Sequence, residues 1–263
     1  MDLSGKIAII LGAAGAGNMG QAIAKRFATE GAKVVVAGRH EAPLKSLASE
    51  IGGSYFISDI TQKADLENLV KHTVKTYGGC DVGVNAVGLN LLTPSLDVTE
   101  EELDTISSIH FKGAYFFVQA VGGYMKDNGG GSLIQVSSAT VEAIIENHAA
   151  YIATKAASES LMRCFAVELG PFGVKLNTVS PGYTKTPMTT EFGAIPGLED
   201  AFVARYPLGR VGTSEDIADA AVWLAQDGSF ISGQTLQING GLTLRGNPTG
   251  ADVNASIAAA SQT

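Results

Sequence analysis

Tyr151 and Lys155 stand four residues apart in a stretch whose apolar spacing predicts a helix. Four residues make about one helical turn, so both side chains lie on one face, about 6 Å apart. A neighbouring ammonium, together with any positive charge that a bound ligand brings, favours a phenolate and lowers the pKa of a tyrosine. The pair therefore predicts a phenol that exchanges a proton near neutral pH. Surface helices carry many such pairs without any chemistry, so this prediction depends on the surrounding residues.

A serine pair supplies the first part of that context. Ser137 and Ser138 end a predicted strand, thirteen residues before Tyr151. In an open α/β sheet the carboxyl ends of the strands border the ligand crevice. The hydroxyl of Ser138 and the phenol of Tyr151 are therefore predicted to reach one carbonyl oxygen, which indicates interconversion of a ketone and a secondary alcohol.

A glycine-rich segment follows the first predicted strand and opens the first predicted helix. It contains the pattern G-x-G-x-x-G, and Gly12 precedes that pattern. Glycines let the backbone turn tightly and approach a pyrophosphate, whose charge the amides at a helix start attract. Alone the pattern is often only a flexible turn, but its place in a strand–helix–strand unit favours dinucleotide binding. The predicted contacts are Gly12, Gly15, Gly17, Asn18, Met19 and Gly20.

The end of the second predicted strand indicates which dinucleotide is bound. An NAD site usually has an acidic residue there, which binds the ribose hydroxyls. Here the strand runs into Gly38 and Arg39 instead. Glycine does not repel a phosphate, and a guanidinium pairs with one. The sequence therefore favours NADP(H) over NAD(H), and the alternative is that Arg39 is only a solvated surface charge.

Short β-branched runs alternate with helical patterns along the chain. The predicted strands are Lys6–Leu11, Lys33–Ala37, Tyr55–Ile57, Asp81–Asn85, Gly131–Ser137, Val174–Val179 and Thr235–Ile238. The predicted helices are Met19–Glu30, Glu41–Ile51, Gln62–Tyr77, Thr99–Met125, Ala149–Leu169 and Ser214–Ala225. Because the strands are nearly all apolar, we predict an α/β fold, a doubly wound (Rossmann-type) parallel sheet of about seven strands with helices on both faces. Residues 1–245 are predicted as a single dinucleotide-binding and catalytic domain, and residues 246–263 as a C-terminal tail.

The composition argues against several classes of partner. The formal net charge of −8 disfavours nucleic acid, since a phosphate backbone needs a basic face. No apolar stretch is long enough to cross a membrane, and the first residues do not resemble a secretory signal. Cys80 and Cys164 lack the spacing of a metal site, and so few cysteines indicate a reducing compartment, which we take to be the cytoplasm.

Taken together, the motifs between about residue 4 and residue 245 resemble the short-chain dehydrogenase/reductase family. Besides the glycine turn and the set Ser138, Tyr151 and Lys155, the marks are short segments that follow strands: Asp59-Ile60, Asn85-Ala86-Val87-Gly88, Pro181-Gly182 and Asn239-Gly240-Gly241. The resemblance implies that Ser138 orients the carbonyl, Tyr151 is the acid and base, and Lys155 holds the nicotinamide ribose. It also implies a homotetramer or homodimer and cofactor contacts at Asp59, Ile60, Asn85, Pro181, Gly182 and Thr184.

The spacing of the glycine turn departs from the family pattern. The loop between Gly12 and Gly20 is two residues longer than usual, a spacing similar to that of the enoyl reductase branch. Those enzymes, however, separate the tyrosine and the lysine by more than four residues, so the catalytic helix favours carbonyl chemistry. Reduction of a carbon–carbon double bond is one alternative, and a dinucleotide-binding protein without turnover is another.

His110 is a second departure. It stands where many family members carry an asparagine that helps to hold a water chain to the catalytic lysine. A histidine offers comparable hydrogen bonds, so His110 is predicted as a further catalytic residue. The alternative is a buried histidine bonded to a carbonyl group.

The substrate is predicted to contact the segments Ala143–His148 and Tyr183–Phe192, together with Leu89, Leu91, Leu92 and Ile195. This mainly apolar set favours a small hydrophobic ketone or alcohol, and the alternative is that these residues pack the core or an interface. Beyond the last strand we predict Leu242–Pro248 at a subunit interface, where it helps to close a neighbouring pocket, and weak order after Gly250.

Overall fold

Seven parallel strands form the centre of the protein. The computed structural model describes residues 1–261, without the side chains of residues 191 and 192. The strands of this sheet are β1 (Ile7–Leu11), β2 (Lys33–Gly38), β3 (Ser54–Ile57), β4 (Val82–Asn85), β5 (Gly131–Val136), β6 (Val174–Pro181) and β9 (Thr235–Ile238). Two short strands that the sequence did not indicate, β7 (Thr184–Lys185) and β8 (Gly212–Thr213), pair with each other in a separate sheet.

The order of the strands identifies the fold. It is β3-β2-β1-β4-β5-β6-β9, so the direction of winding reverses between β1 and β4. In a doubly wound sheet the carboxyl ends of the strands open a ligand crevice at that reversal. The predicted fold class is therefore confirmed, and the predicted ends of the seven strands differ from those in the structure by no more than about two residues.

Helices cover both faces because alternate strand residues point to opposite sides. In β1, Ala8 and Ile10 belong to one buried cluster, whereas Ile9 and Leu11 belong to another on the opposite face. The first cluster includes the helices Met19–Thr29, Glu41–Ile51 and Ser214–Ala225, and the second includes Lys63–Tyr77, the helical run over residues 100–127 and Ala149–Leu169. Both faces of the sheet thus bury apolar surface, which is the main favourable term in folding.

The helical run over residues 100–127 differs in kind from the ordinary helix predicted there. It starts after Thr99, whose side chain forms a capping box with Glu102. Two π-helical turns, Ser108–Gly113 and Val118–Gly122, interrupt the α-helical segments. Wide turns of this kind are rare and frequently lie at functional sites. The first of them carries His110.

The end of β5 positions Ser138, and the next long helix positions Tyr151 and Lys155. The strand leads directly into a short 3-10 turn, Ala139–Val141, whose N-cap is Ser138. The helix Ala149–Leu169 then begins after His148 and carries Tyr151 and Lys155 in its first two turns. Ser138 is therefore held at a strand end, while the other two residues project from a rigid helix.

The C-terminal tail contains a helix, Gly250–Ala260, so the predicted weak order after Gly250 is wrong. Thr249 caps this helix and forms a capping box with Asp252. The helix packs on a short helix of the loop after β6, Leu198–Val203. Among residues 1–261, no helix is both long and apolar enough to cross a membrane.

Candidate active site

A cleft of about 590 Å³ opens at the carboxyl ends of the strands. Most of the predicted site residues line it: Gly12, Gly15, Asn18, Met19, Gly20, Arg39, Asp59, Ile60, Ser138, Tyr151, Lys155, Pro181, Gly182 and Thr184. Gly17, Asn85 and His110 are not among its lining residues. The structure therefore brings most of the predicted residues together at one cleft, and three of them lie outside its lining.

The cleft has two parts with different construction. The turn half consists of residues 12–20, 38–40, 58–60 and 86–88, which follow β1 to β4. The tail half consists of residues 140–148, 183–206 and 242–253. Lys155 approaches the turn half near Gly88, and Tyr151 contacts the ring of His148 in the tail half. The three reactive side chains thus lie between the two halves.

The glycine turn brings the backbone closer to its neighbours than any side chain would permit. Gly12 has φ +100°, and a Cβ there would lie 2.7 Å from the backbone of Ala86 and Val87. A Cβ on Gly20 would lie 2.5 Å from the carbonyl oxygen of Gly12. Asn18 caps the following helix, since its Oδ1 accepts from the amide of Gln21 at 3.0 Å. This bare backbone at a helix start fits the pyrophosphate of a dinucleotide.

The end of β2 fits a phosphate better than a carboxylate. A Cβ on Gly38 would meet the side chain of Ala14 at 2.7 Å, so the position has no room for an acidic residue. Arg39 is exposed at the rim of the cleft, and no carboxylate within residues 1–261 pairs with it. A guanidinium without a protein partner is available for an anionic ligand.

Asp59 and Asn85 shape the walls of the turn half. Oδ1 of Asp59 accepts from both the amide and the hydroxyl of Thr61, each at 2.9 Å. The side chain of Asn85 is buried; its Nδ2 donates to Gln135 Oε1 at 2.9 Å and its Oδ1 accepts from the amide of Val87 at 3.1 Å. Asn85 therefore fixes the turn after β4, which passes over Gly12, without lining the cleft itself.

Tyr151 is half-buried and lines the cleft. Burial raises its pKa above the ordinary value of a tyrosine, and a hydrogen bond with Ser138 acts in the opposite direction. We predicted that the pKa of Tyr151 is lowered by Lys155. For the protein's own groups taken together this prediction is wrong, because desolvation of the phenol is the largest effect and raises the pKa. The ring of Tyr151 lies between two histidines, His110 and His148, whose ring centroids are 5.3 and 5.2 Å away.

Lys155 is only 3% exposed, and its Nζ donates to the carbonyl oxygen of Val136 at 3.1 Å. Burial lowers the pKa of Lys155 to about 8, while the carboxylate of Glu159, one turn further along the helix, acts in the opposite direction. Glu159 is buried as well and accepts a 2.6 Å hydrogen bond from Ser137. The lysine is thus a buried ammonium whose pKa lies well below its ordinary value.

Both nitrogens of His110 have protein partners. Nε2 accepts from the amide of Leu89 at 3.0 Å, which places the ring proton on Nδ1, and Nδ1 lies 3.0 Å from Thr154 Oγ1. Burial and the nearby Lys155 lower the pKa of His110 to about 2, so the ring is neutral. The ring is buried, as the second alternative expected, but its partners are an amide and a hydroxyl rather than a carbonyl. In this arrangement neither nitrogen is free to hold a water.

The tail half is mainly apolar, and the sequence identified it only in part. Of the predicted contacts, Leu89, Leu92, Ile145, His148, Tyr183 and Met188 line the cleft, whereas Leu91 and Ile195 are not among the lining residues. The side chain of Phe192 lies outside the described part of the chain. Reasoning from sequence did not name Leu198, Phe202 and Val253, which also line the cleft, and it expected Leu242 and Asn247 at a neighbouring pocket, whereas here they line this chain's own cleft. The signals of a helix here were the capping-box spacing of Thr249 and Asp252 and the alanines that follow.

The tail is tied to both other segments of the tail half. Nδ2 of Asn247 donates to the carbonyl oxygen of Ala143, in the segment before the Tyr151 helix. The hydroxyl of Ser256 donates to the carbonyl oxygen of Gly197 at 2.7 Å, and Arg205 pairs with Asp252 at 2.9 Å. The chain's own tail therefore forms a wall of its own cleft.

Comparisons with known proteins are consistent with this geometry. Residues 12–243 match the family model described as enoyl-(acyl carrier protein) reductase. Glucose 1-dehydrogenase of Gluconobacter oxydans is 34% identical over 252 residues, which cover 93% of this chain and 94% of that protein. Mitochondrial borneol dehydrogenase of Lavandula x intermedia is 32% identical over 246 residues, 92% of each chain. A solved short-chain type dehydrogenase/reductase from Mycobacterium ulcerans superposes with a TM-score of 0.90 over 98% of this chain and 99% of that one; at 24% identity it shows the fold alone.

Proposed function

The chain belongs to the short-chain dehydrogenase/reductase family, and we propose that it interconverts a hydrophobic ketone and a secondary alcohol with NADP(H), using Tyr151 as acid and base. Its membership makes it an oxidoreductase that acts on alcohols and ketones with a nicotinamide dinucleotide. The observation that supports the finer proposal best is the position of Ser138, Tyr151 and Lys155 on one cleft that a glycine turn also lines.

In the proposed mechanism each side chain has a separate task. The hydroxyl of Ser138 donates a hydrogen bond to the carbonyl oxygen and orients it. Tyr151 gives its phenolic proton to that oxygen during reduction and takes it back during oxidation. Lys155 keeps a positive charge within one helical turn of the phenol and stabilises the phenolate that forms. A bound nicotinamide supplies or accepts the hydride.

We propose that the remaining predicted residues serve binding and positioning. The turn half binds the dinucleotide through Gly12, Gly15, Gly20 and the helix start at Asn18. Further proposed cofactor contacts are Gly17, Met19, Asp59 and Ile60 in the turn half, Pro181, Gly182 and Thr184 after β6, and Asn85, which acts through the turn that it fixes. His110 positions the catalytic helix and the loop at Leu89, a role that both of its hydrogen bonds support.

The preference for NADP(H) is proposed from the end of β2. Gly38 leaves no room for the acidic residue that binds ribose hydroxyls, and Arg39 is free of protein carboxylates within the described residues. A phosphate on the ribose gives this guanidinium a partner.

The substrate is proposed to be hydrophobic because most side chains of the tail half are apolar. The relatives differ in the compounds that their names give: one acts on glucose and another on borneol, an apolar alcohol. The apolar lining by Leu92, Met188 and Phe202 favours the second kind of compound for this chain.

Enoyl reduction is a second candidate, favoured by the long glycine turn and by the description of the family model. Against it stands the four-residue spacing of Tyr151 and Lys155, which is that of the carbonyl-reducing members. The two reactions differ in where the proton goes, to oxygen or to carbon, so a substrate panel separates them.

We also propose a homotetramer or homodimer in the cytoplasm. Cys80 and Cys164 are free thiols, which suits a reducing compartment. Residues 1–245 are proposed as one dinucleotide-binding and catalytic domain, with residues 246–263 as a tail that completes its cleft.

The test is NADPH consumption with matched ketones, enones and, in reverse, secondary alcohols. Tyr151→Phe is expected to lower kcat by about 10²–10⁴-fold and to leave the Kd for NADPH unchanged, because only the proton transfer is lost. Turnover of enones without ketones contradicts carbonyl chemistry. Retention of more than about a tenth of the activity by Tyr151→Phe contradicts its role as the acid.

A further inference from the structure

His148 is a polar side chain of the cleft that the proposed mechanism does not use. It lines the tail half, and its ring stands edge-on to that of Tyr151 with the centroids 5.2 Å apart. Its Nδ1 is buried and has no hydrogen-bond partner within residues 1–261. Burial lowers the pKa of His148, so the ring is neutral and offers one donor and one acceptor.

The local backbone places this ring at the cleft rather than at the start of the helix. His148 is the N-cap residue of the helix Ala149–Leu169, yet its side chain makes no capping hydrogen bond. The preceding Asn147 has φ 60°, and among the described residues it is the one non-glycine with a left-handed backbone. Unusual backbone conformations of this kind persist where the surrounding structure requires them, and they cluster at ligand sites.

The two histidines beside Tyr151 differ in one respect. His110 bonds to a protein partner through each nitrogen, whereas Nδ1 of His148 has none. Nδ1 has almost no accessible surface, so a substrate in the cleft reaches the ring through Nε2, which likewise has no hydrogen-bond partner within the described residues. The neutral ring suits an uncharged oxygen, which donates to it or accepts from it.

We propose that His148 hydrogen-bonds a second oxygen of the substrate, one that lies next to the reacting carbonyl. This inference rests on the proposed function and narrows its substrate class. In the proposed mechanism Tyr151 and Ser138 hydrogen-bond the reacting oxygen. His148 lies about one helical turn before Tyr151, on the same side of the helix. The preferred substrate is therefore an α-hydroxy ketone, or the corresponding vicinal diol, with an otherwise apolar body.

Two matched ketone pairs test this assignment: butanone against acetoin, and cyclohexanone against its α-hydroxy derivative. Within each pair the two compounds differ by one hydroxyl group. The wild-type protein is expected to favour the hydroxylated member by about tenfold in kcat/KM, the effect of one neutral hydrogen bond. The difference is expected in KM, because the bond forms equally in the ground state and the transition state.

The variants His148→Phe and His148→Gln separate hydrogen bonding from packing. Phenylalanine keeps an aromatic edge beside Tyr151 but has no donor or acceptor, so it is expected to abolish the preference for the hydroxylated member within each pair. Glutamine keeps a donor and an acceptor and is expected to restore part of it. Asn147→Gly, which changes the backbone residue and keeps His148, is the control and is expected to retain the preference. Thermal melts establish that each variant is folded.

The outcomes distinguish this inference from the proposed function. The ratio of kcat/KM for a hydroxylated ketone to that for its plain partner is the deciding quantity. If this ratio is the same in the wild-type protein and in His148→Phe, the role of His148 is overturned while carbonyl reduction stands. If no ketone is turned over, the proposed function fails. In that case calorimetric titration with butanol and with a vicinal butanediol decides the inference: equal affinities overturn it, and a preference for the diol that His148→Phe removes supports it.

Discussion

The two halves of the cleft are held in shape by different parts of the chain. In the turn half, backbone lies against backbone: positions at Gly12 and Gly20 have no room for a Cβ. In the tail half, separate segments are joined by side chains, such as the hydroxyl of Ser256 and the exposed ion pair of Arg205 with Asp252. The first half therefore tolerates almost no substitution at its glycines, whereas the second can change its lining and keep the fold. We therefore expect substitutions to alter the substrate preference more readily than the geometry of the dinucleotide site.

The largest effect is expected from Gly20→Ala, which tests whether the turn half depends on bare backbone. Its Cβ would lie 2.5 Å from the carbonyl oxygen of Gly12, so the turn must open. We expect the Kd for NADPH to rise more than about 100-fold, together with a fall in melting temperature. Gly123→Ala is the matched control, since that glycine is also helical and no atom lies within 4 Å of a Cβ there. A tightly binding Gly20→Ala protein would show that the turn is more adaptable than its packing indicates.

The next effect concerns Lys155, which lies between the two halves. Its pKa of about 8 in the folded protein is below the 10.5 of the unfolded chain. The unfolded chain therefore binds more protons between pH 8 and pH 10.5, so this group lowers stability at pH 7 by about 3 kcal/mol and the cost fades as the pH rises. Lys155→Met is expected to raise the melting temperature at pH 7, to raise it less at pH 10, and to abolish turnover.

Exposed Lys45 supplies the control for that experiment, since Lys45→Met removes a charge that is already in water. It is expected to leave the melting temperature unchanged at both pH values. A Lys155→Met protein that melts at a lower temperature than the wild type at pH 7 contradicts a buried, destabilising ammonium.

A smaller effect is expected at the rim of the turn half. Arg39→Ala removes a charge-assisted contact with the ribose phosphate, which is worth about 1.5–3 kcal/mol. The Kd for NADPH is therefore expected to rise by about 10–100-fold, while the Kd for NADH is unchanged. Fluorescence titration measures both Kd values. Arg163→Ala, an exposed arginine on the helix Ala149–Leu169, is expected to change neither. Equal affinity of the wild-type protein for both dinucleotides rules out the proposed preference.

The smallest effect is expected from the tail half. Deleting residues 247–263 removes Asn247 and Val253 from the wall of the cleft and is expected to raise KM for ketones by about tenfold or less, with no change in the Kd for NADPH. Deleting residues 261–263 alone is the control. Light scattering on a third protein, which lacks residues 242–263, tests whether Leu242–Pro248 lies at a subunit interface. If the longer deletion raises the Kd for NADPH as much as it raises KM for the ketone, the two halves of the cleft are not independent.

The fold was predictable because each level of the sequence points to the same arrangement. Apolar runs alternate with amphipathic segments, and a glycine turn stands where the first helix begins, which together determine a doubly wound sheet. The extent of the helical run over residues 100–127 followed from its pattern, but its π-helical turns did not. A π turn inserts an extra residue without any local composition signal, so the environment of His110 was not predictable.

The tail half was less predictable for a different reason. Its walls come from segments far apart in the chain, so Phe202 and Val253 meet the cleft only through tertiary packing. The helix Gly250–Ala260 lacks an amphipathic pattern, so it was missed although alanine favours helices and Thr249 and Asp252 have the spacing of a capping box. The pKa of Tyr151 was misjudged because the sequence shows its charged neighbour and does not show how deeply the phenol is buried.

The position of the tail helix affects how the protein is completed during synthesis. Residues 12–88, which build the turn half, leave the ribosome early, and domains fold from the amino terminus onward. The helix Gly250–Ala260 is translated after all seven strands of the sheet, and until it reaches the helix Leu198–Val203 one wall of the cleft is missing. A chain that stops after β9 has the whole sheet and an open-sided pocket. Synthesis of the sheet therefore precedes synthesis of the helix that completes this wall.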